Sequence, residues 1–354
     1  MDKDIKLLKN ISELSGVSGN EKKVRLYIKQ QLENQVDEIF QDNLGSLIAK
    51  KGQKGPTIMV AGHMDEVGLM ITQITKDGFL KFQTIGGWYN QVMLAQEWLI
   101  ETITGKEVIG VTGVKPPHVI PANKRNEVQE ASQMFIDVGA SSYDEVIEMG
   151  IRLGSFVTPL QQFRQLGDQK HLLGKAWDNR IGSAVVIEVM RNLKAIPNQI
   201  YGTFTVQEEV GLRGAKTSSH LVKPEIAIAI DSGLALDTPG AGEKENQEIG
   251  KGPQILIYDG GLIPNQALRN LVIKTAEELN IPYQEAYIVG GRTDAGNMHL
   301  AHNGAAGLSI CIPTRNLHSH VSMIHYDDYL NTVKLLSALL IKLDQTTVDK
   351  ILDR

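Results

Sequence analysis

Ile5, Leu8, Ile11 and Leu14 recur at the spacing that lines one face of a helix, and Val24, Ile28 and Leu32 repeat it further on. Two opening helices are predicted. Ser18 followed three residues later by Glu21 reads as a capping box that starts the second helix. Residues 44–49 and 57–61 are short apolar runs bounded by Gly and Pro, so each reads as a strand, and the second ends just before His63. From about residue 69 to 158 the texture changes. Short β-like pieces at 79–84, 97–104 and 108–114 are separated by Gly, Asp-Gly and Pro-Pro signals, and helical periodicity returns only near 143–149. Beyond Lys170 helix and strand alternate again: helical patterns at 179–193, 266–279 and 327–343, strands at 200–206, 225–230 and near 305–311. That alternation predicts an α/β fold, a sheet layered with helices, interrupted by a mainly β insert. The boundaries read as 1–68 and 166–354 for the α/β part and 69–165 for the insert.

Composition narrows the function classes. The chain has 354 residues, 42% hydrophobic and 22% charged, which suits folded globular domains with a sizeable core. Lys and Arg total 36 against 41 Asp and Glu, a formal charge of -5, and no run of basic residues could neutralise a phosphate backbone, so nucleic acid is not an expected partner. The N-terminus mixes charged and apolar residues and no eighteen-residue apolar stretch occurs, so neither membrane nor export signal is expected and the location is read as cytoplasmic. The single cysteine, Cys311, lies in an apolar stretch and reads as a core residue, not a catalytic thiol.

Candidate chemistry collects where the predicted strands end, the place at which open α/β sheets build their sites. His63 follows one strand, the Glu208–Glu209 pair another, Asp231 ends a third, His318 follows a fourth, and Asp178 precedes a helix. Any one of these residues, taken singly, is more often a solvated loop charge or a helix cap. Their coincidence at strand ends changes the balance. So does a flank such as Ala-Ile-Ala-Ile before Asp231, because a charge that ends a buried strand needs a partner. Mixed imidazole and carboxylate donors suit a borderline-soft divalent cation, which puts Zn²⁺ first and leaves Co²⁺ and Mn²⁺ as alternatives. Five donors with one bridging carboxylate could hold two such ions and a shared, acidified water. Adjacent glutamates leave the backbone in different directions, so one of Glu208 and Glu209 can hold metal while the other stays free as a base. Asp65 is placed to accept the second imidazole N–H of His63 and fix its tautomer.

Several segments together resemble the glutamyl and deblocking aminopeptidases, cocatalytic metallopeptidases that form tetrahedral particles: AGHMDEVGLM (61–70), KAWDNRIG (175–182), VQEEVGLRGA (206–215), AIDSG (229–233), GGRTDAG (290–296) and RNLHSH (315–320). The resemblance spans the whole chain in the same order, including GVSGNE (16–21) and KPPHV (115–119). It implies a zinc-exopeptidase-like mixed sheet interrupted by a barrel-like insert. It also implies two metal ions per subunit: His63, Asp178 and Asp231 would hold one, with Asp178 bridging to a second held by Glu209 and His318. Glu208 would be the general base, Asp65 would orient His63, and the substrates would be peptides shortened from the N-terminus. Dimers assembling into a homo-oligomeric dodecamer, with the insert in the dimer contacts, are implied as well.

One departure stands out. Relatives commonly carry a third glycine where this chain has Arg292, so a long cation occupies a loop expected to approach the substrate, and an acidic N-terminal residue would suit it. His299, His302, His320 and His325 are given no catalytic role. A metal-dependent deacylase or carboxypeptidase on the same scaffold is the alternative activity, since a metal cluster defines a reaction class better than a substrate.

Overall fold

The computed structural model describes residues 3–241 and 247–354. Its main layer is a mixed eight-stranded sheet in the spatial order Glu38–Gln41, Leu47–Lys51, Gln199–Phe204, Thr57–Ala61, Ile226–Leu234, Ala306–Thr314, Gln254–Asp259, Gln284–Ile288. The four central strands, from Gln199–Phe204 to Ala306–Thr314, run parallel, so all four finish at the same edge. Both faces of these strands are covered, which is why they read as unbroken apolar runs and not as alternation.

The pleat still sorts residues by size. Ile58 and Val60, with Ile226, Ile228 and Ile230, face a thick layer of long helices, among them Lys3–Glu13, Lys22–Leu32, Trp177–Asn192 and Tyr326–Lys342. Met59 and Ala61, with Ala227 and Ala229, face the thinner layer of helices Arg213–Val222 and Ala295–Met298. Side chains alternate faces along a strand, so large residues at every second position accept the bulkier layer and alanines between them let the short helices come close.

The insert is a closed six-stranded barrel in the order Gly68–Ile74, Leu80–Ile85, Phe135–Asp137, Glu107–Gly113, Glu97–Glu101, Phe156–Pro159. Leu69, Ile71, Leu80, Trp98, Ile100, Ile136 and Val157 fill it. Closure pairs every strand on both sides and removes exposed sheet edges. A separate three-stranded sheet, Arg164–Leu166, His171–Gly174 and Ser322–His325, completes the strands.

Two local expectations are corrected. The strand expected at 44–49 lies at Leu47–Lys51, and it pairs with a further strand, Glu38–Gln41, whose half-exposed residues carry little apolar signal. The capping box does not form: Glu21 precedes helix Lys22–Leu32 without a side-chain cap bond. Ser18 Oγ instead donates to Asp65 Oδ2 at 2.6 Å, and Glu21 Oε1 accepts from the backbone N–H of Gly19 and Gln207. Among the described residues no helix is long and apolar enough to cross a membrane.

Candidate metal centre

The shared edge of the parallel strands brings the expected residues together. Strand Thr57–Ala61 leads into His63, Gln199–Phe204 into Glu208 and Glu209, Ala306–Thr314 into His318, and Asp231 sits inside Ile226–Leu234. Asp178 opens helix Trp177–Asn192, where its own backbone and that of Asn179 depart from helical angles, and the peptide between them is cis. Asn179 ties this bend to the sheet by donating to Ile230 O at 2.8 Å and accepting from Gly182 N at 3.0 Å. Ser183 Oγ bonds the carbonyls of Gly62 and His63. The helix can approach because residue 182 is glycine: a Cβ there would lie 2.3 Å from Ile230 O.

The result is two triads that share one residue. His63 Nε2 lies 3.1 Å from Asp178 Oδ1 and 3.7 Å from Asp231 Oδ1. His318 Nε2 lies 3.5 Å from the other oxygen, Asp178 Oδ2, and 3.4 Å from Glu209 Oε2. His63, Asp178 and Asp231 can each offer one ligand atom to a common point, and Asp178, Glu209 and His318 can do the same. Glu208 belongs to neither triad, although its Oε2 is 3.8 Å from His63 Nε2.

Asp65 does more than its spacing suggests. His63 Nδ1 is nearest to the backbone oxygen of Asp65, at 3.1 Å, with the carboxylate at 3.5 Å. The carboxylate's own bonds go to Ser18 Oγ and to the backbone N–H groups of Glu208 at 3.0 Å and Glu209 at 3.2 Å. It therefore locks the loop that presents both glutamates.

The electrostatics follow from crowding. Burial, then repulsion by Asp231, Asp294 and Glu209, raises the Glu208 carboxyl well above its ordinary range despite His63. Burial and the charge of Asp178 push Glu209 up to about 8. Asp178 moves the other way, since its bonds to His318 and His63 outweigh burial. His318 is raised to about 9, first by Asp178. Burial opposes protonation of His63, but Glu208, Asp178 and Asp65 overcome it and raise its pKa well above the usual value. Among the described residues no Lys or Arg pairs with these carboxylates, and Glu209 Oε1 is buried without a hydrogen-bond partner. Four acidic groups balanced only by two imidazoles, with one oxygen left unpartnered, form a donor set that divalent cations fit.

Other residues at the site escape a reading of the sequence. Glu66, adjacent to Asp65, is buried with Lys175, whose Nζ lies 2.6 Å and 2.7 Å from its two oxygens, and with Arg180 at 3.2 Å. Arg180 also donates to the carbonyls of Ile11, Leu14, Gly16 and Met64, drawing the end of the first helix onto the loop after His63. On the far side of the glutamate loop Asp294 accepts from Thr205 Oγ1, and Asn297 Nδ2 donates to Leu212 O. Glu66, Lys175, Arg180 and Asp294 all lie within the segments that carry the family resemblance, but nothing in those segments shows their pairing.

These groups open on a cleft of about 570 Å³ walled by Leu212, Leu234, Ile288, Arg292 and Leu317. Arg292 reaches the same cleft as the triads, and no described acidic side chain, Glu285 included, lies within ion-pair distance of it. Cys311 is buried, and burial raises its thiol pKa well above the usual value, as a core residue requires. A separate group, Asp168, His171 and His325, lies on the three-stranded sheet, where His325 Nδ1 caps helix Tyr326–Lys342 through Asp327 N–H.

The profile of the family described as M42 glutamyl aminopeptidase matches residues 45–335. The lysyl aminopeptidase of Pyrococcus furiosus is 37% identical over 340 residues, covering 95% of this chain and 96% of that protein. The crystal structure of the TET aminopeptidase from the marine sediment archaeon Thaumarchaeota archaeon SCGC AB-539-E09 superposes with a TM-score of 0.96 at 40% identity, covering 99% of both chains. The TET1 peptidase of Pyrococcus horikoshii, described as assembling into a tetrahedron or a large octahedral shell, superposes with a TM-score of 0.86 at 32% identity, covering 96% of this chain and 100% of that one.

Proposed function

Because the chain belongs to the M42 glutamyl aminopeptidase family and is therefore a peptidase, we propose that it removes N-terminal residues from peptides with two divalent cations and Glu208 as general base. The observation that carries this reading is the pair of triads joined through the two oxygens of Asp178. His63, Asp178 and Asp231 would hold one ion, and Asp178, Glu209 and His318 the other, with Zn²⁺ first and Co²⁺ or Mn²⁺ as alternatives. Such a pair, when bound, acidifies a water and polarises a carbonyl. Glu208 stands outside both triads with a raised carboxyl pKa, so it is available to take the water's proton and deliver it to the leaving amine. Asp65 holds Glu208 and Glu209 in register through their N–H groups, and its carbonyl fixes which nitrogen of His63 faces inward.

Two finer features belong to the same reading. Arg292, at the cleft wall with no acidic partner among the described residues, favours an acidic N-terminal side chain, while relatives bear both glutamyl and lysyl names. The barrel serves assembly into a dodecamer, supported by the exposed apolar side chains Ile103, Ile109, Val111 and Val119. The decisive experiment uses matched peptides with free and acetylated N-termini before chelation, after chelation and after return of Zn²⁺, Co²⁺ or Mn²⁺. Cleavage confined to the free amine and restored by metal is expected. Cleavage of the acetylated peptide would favour the deacylase or carboxypeptidase alternative.

A further inference from the structure

His318 is the least protected of the five donors. It follows the strand Ala306–Thr314 on a loop closed by backbone bonds between Arg315 and Met323, its φ is +54°, and 41% of its side chain is exposed. Its Nε2 faces Asp178 and Glu209, but among the described residues no hydrogen bond from the α/β part holds the other side of the ring. What lies there comes from the barrel. A Cβ built on Gly87 would be 3.0 Å from His318 Nδ1 and 3.3 Å from Cε1, so the imidazole is backed by the Gly87 backbone itself. Gly86 is equally close to the other donor: a Cβ there would sit 3.3 Å from Glu209 Cβ.

The same loop is gripped a second time two residues on. His320 is 3% exposed and is wedged between two indoles of the barrel, 4.1 Å from the Trp98 ring at 76° and 5.6 Å from the Trp88 ring at 58°. Those indoles are themselves fixed. Trp98 is fully buried in the barrel core, Trp88 donates to Gly68 O at 3.1 Å, and their rings are 5.3 Å apart. Aromatic pairs at such spacing contribute beyond simple burial, and a rigid anchor two residues away restricts where an exposed loop can hold a ligand.

The geometry points to His320 as a positioning residue for His318, and to Gly87 as the surface against which that imidazole is set, so that the inserted barrel is part of one metal site. This rests on the reading of His318 as a ligand. The residues involved differ from those that would place the barrel in subunit contacts, because Gly87, Trp88 and Trp98 face the catalytic part. One half of the dinuclear centre, His63, Asp178 and Asp231, comes wholly from the α/β part; the other, through His318, is shared between the α/β part and the barrel.

The test measures zinc per subunit and its affinity by graded chelator competition on the intact protein, comparing His318→Ala, His320→Ala, His320→Phe and Gly87→Ala. Removing groups that orient a ligand lowers metal affinity by about 10–100-fold. His320→Ala and Gly87→Ala are expected to keep one ion at wild-type affinity and to weaken the other by that factor, as His318→Ala should more severely. His320→Phe, which keeps the aromatic wedge, is expected to stay near the wild type. Gly87 has an ordinary φ, so the added methyl acts on His318 and not on the backbone. If His320→Ala and Gly87→Ala hold both ions at wild-type affinity while His318→Ala loses one, the positioning role is wrong. Equal weakening of both ions in His320→Ala would overturn it too, since His320 would then serve the fold as a whole. Two tightly held ions in His318→Ala would instead overturn the assignment of His318.

Discussion

Inside the barrel the described buried polar side chains are Thr102, Thr112, Ser155 and Thr158, uncharged hydroxyls that each find a partner, as Thr102 does at Lys106 O at 2.9 Å and Thr158 at Ser15 Oγ at 3.2 Å. At the C-terminal edge of the eight-stranded sheet the buried polar side chains include His63, Asp65, Glu66, Lys175, Arg180, Asp231 and Asp294, every one of them ionisable. Both regions are lined by large aliphatic residues. A hydroxyl can be buried for one hydrogen bond, whereas a buried charge costs several kcal/mol unless it is paired. The described barrel thus buries no ionisable side chain, while the sheet edge retains charges that packing would have excluded. That contrast marks the edge as the site without reference to any motif.

The largest expected effect belongs to Asp178. Asp178→Asn should release both ions and bring turnover below detection, read by elemental analysis and peptide hydrolysis; retention of two ions would mean that the triads are not joined through Asp178. Next comes the buried cluster. Glu66→Gln leaves Lys175 and Arg180 without their counter-charge and should cost about 3–5 kcal/mol of stability. Leu80→Ala in the barrel should cost about 2–5 kcal/mol by cavity formation yet leave metal content unchanged. Thermal melts with metal analysis check both, and a loss of metal in Leu80→Ala would erase the distinction between the regions.

How far the sequence foretells this depends on the element. The parallel strands and the candidate donors at their ends are legible because burial on both faces writes long apolar runs that stop at a charge, as before Asp231. The Ser18–Glu21 spacing misleads because the same residue types that cap a helix can also bind a buried carboxylate and a distant N–H, here those of Asp65 and Gln207. Glu66, Lys175 and Arg180 stay hidden because their pairing spans 109 and 114 positions of chain, which no local pattern records. Barrel closure follows from the family resemblance and not from the local pattern: alternation predicts strands, but not that the first will pair with the last, as Leu69 does with Val157. The approach of Gly87 to His318 belongs to that closure and could not be read beforehand.

Smaller effects sharpen the picture. Arg292→Gly should lower the kcat/KM ratio for Glu over Leu substrates by about tenfold to hundredfold, the equivalent of a charge-assisted hydrogen bond of roughly 1.5–3 kcal/mol. A wild type that prefers Leu, or a ratio unchanged in the variant, would remove Arg292 from specificity. The smallest effect is one of pH. His318 is raised to about 9 and Glu209 to about 8, so below those values each holds a proton that a cation must displace. Metal affinity at that half should therefore fall as pH falls from 8 to 6, by about tenfold per unit for each proton displaced. Competition titrations at the two pH values measure it, and equal affinities would contradict the raised pKa values.

The central claim is that adjacent glutamates divide two tasks, with Glu209 holding a cation and Glu208 moving a proton. The direct measurement pairs metal content with single-turnover hydrolysis for Glu208→Gln and Glu209→Gln. Glu208→Gln should keep both ions and lose about 10²–10⁴-fold in rate, the usual contribution of a general base, while Glu209→Gln should lose one ion. If Glu208→Gln loses an ion while Glu209→Gln keeps both ions and its rate, the two roles are reversed and the account is wrong.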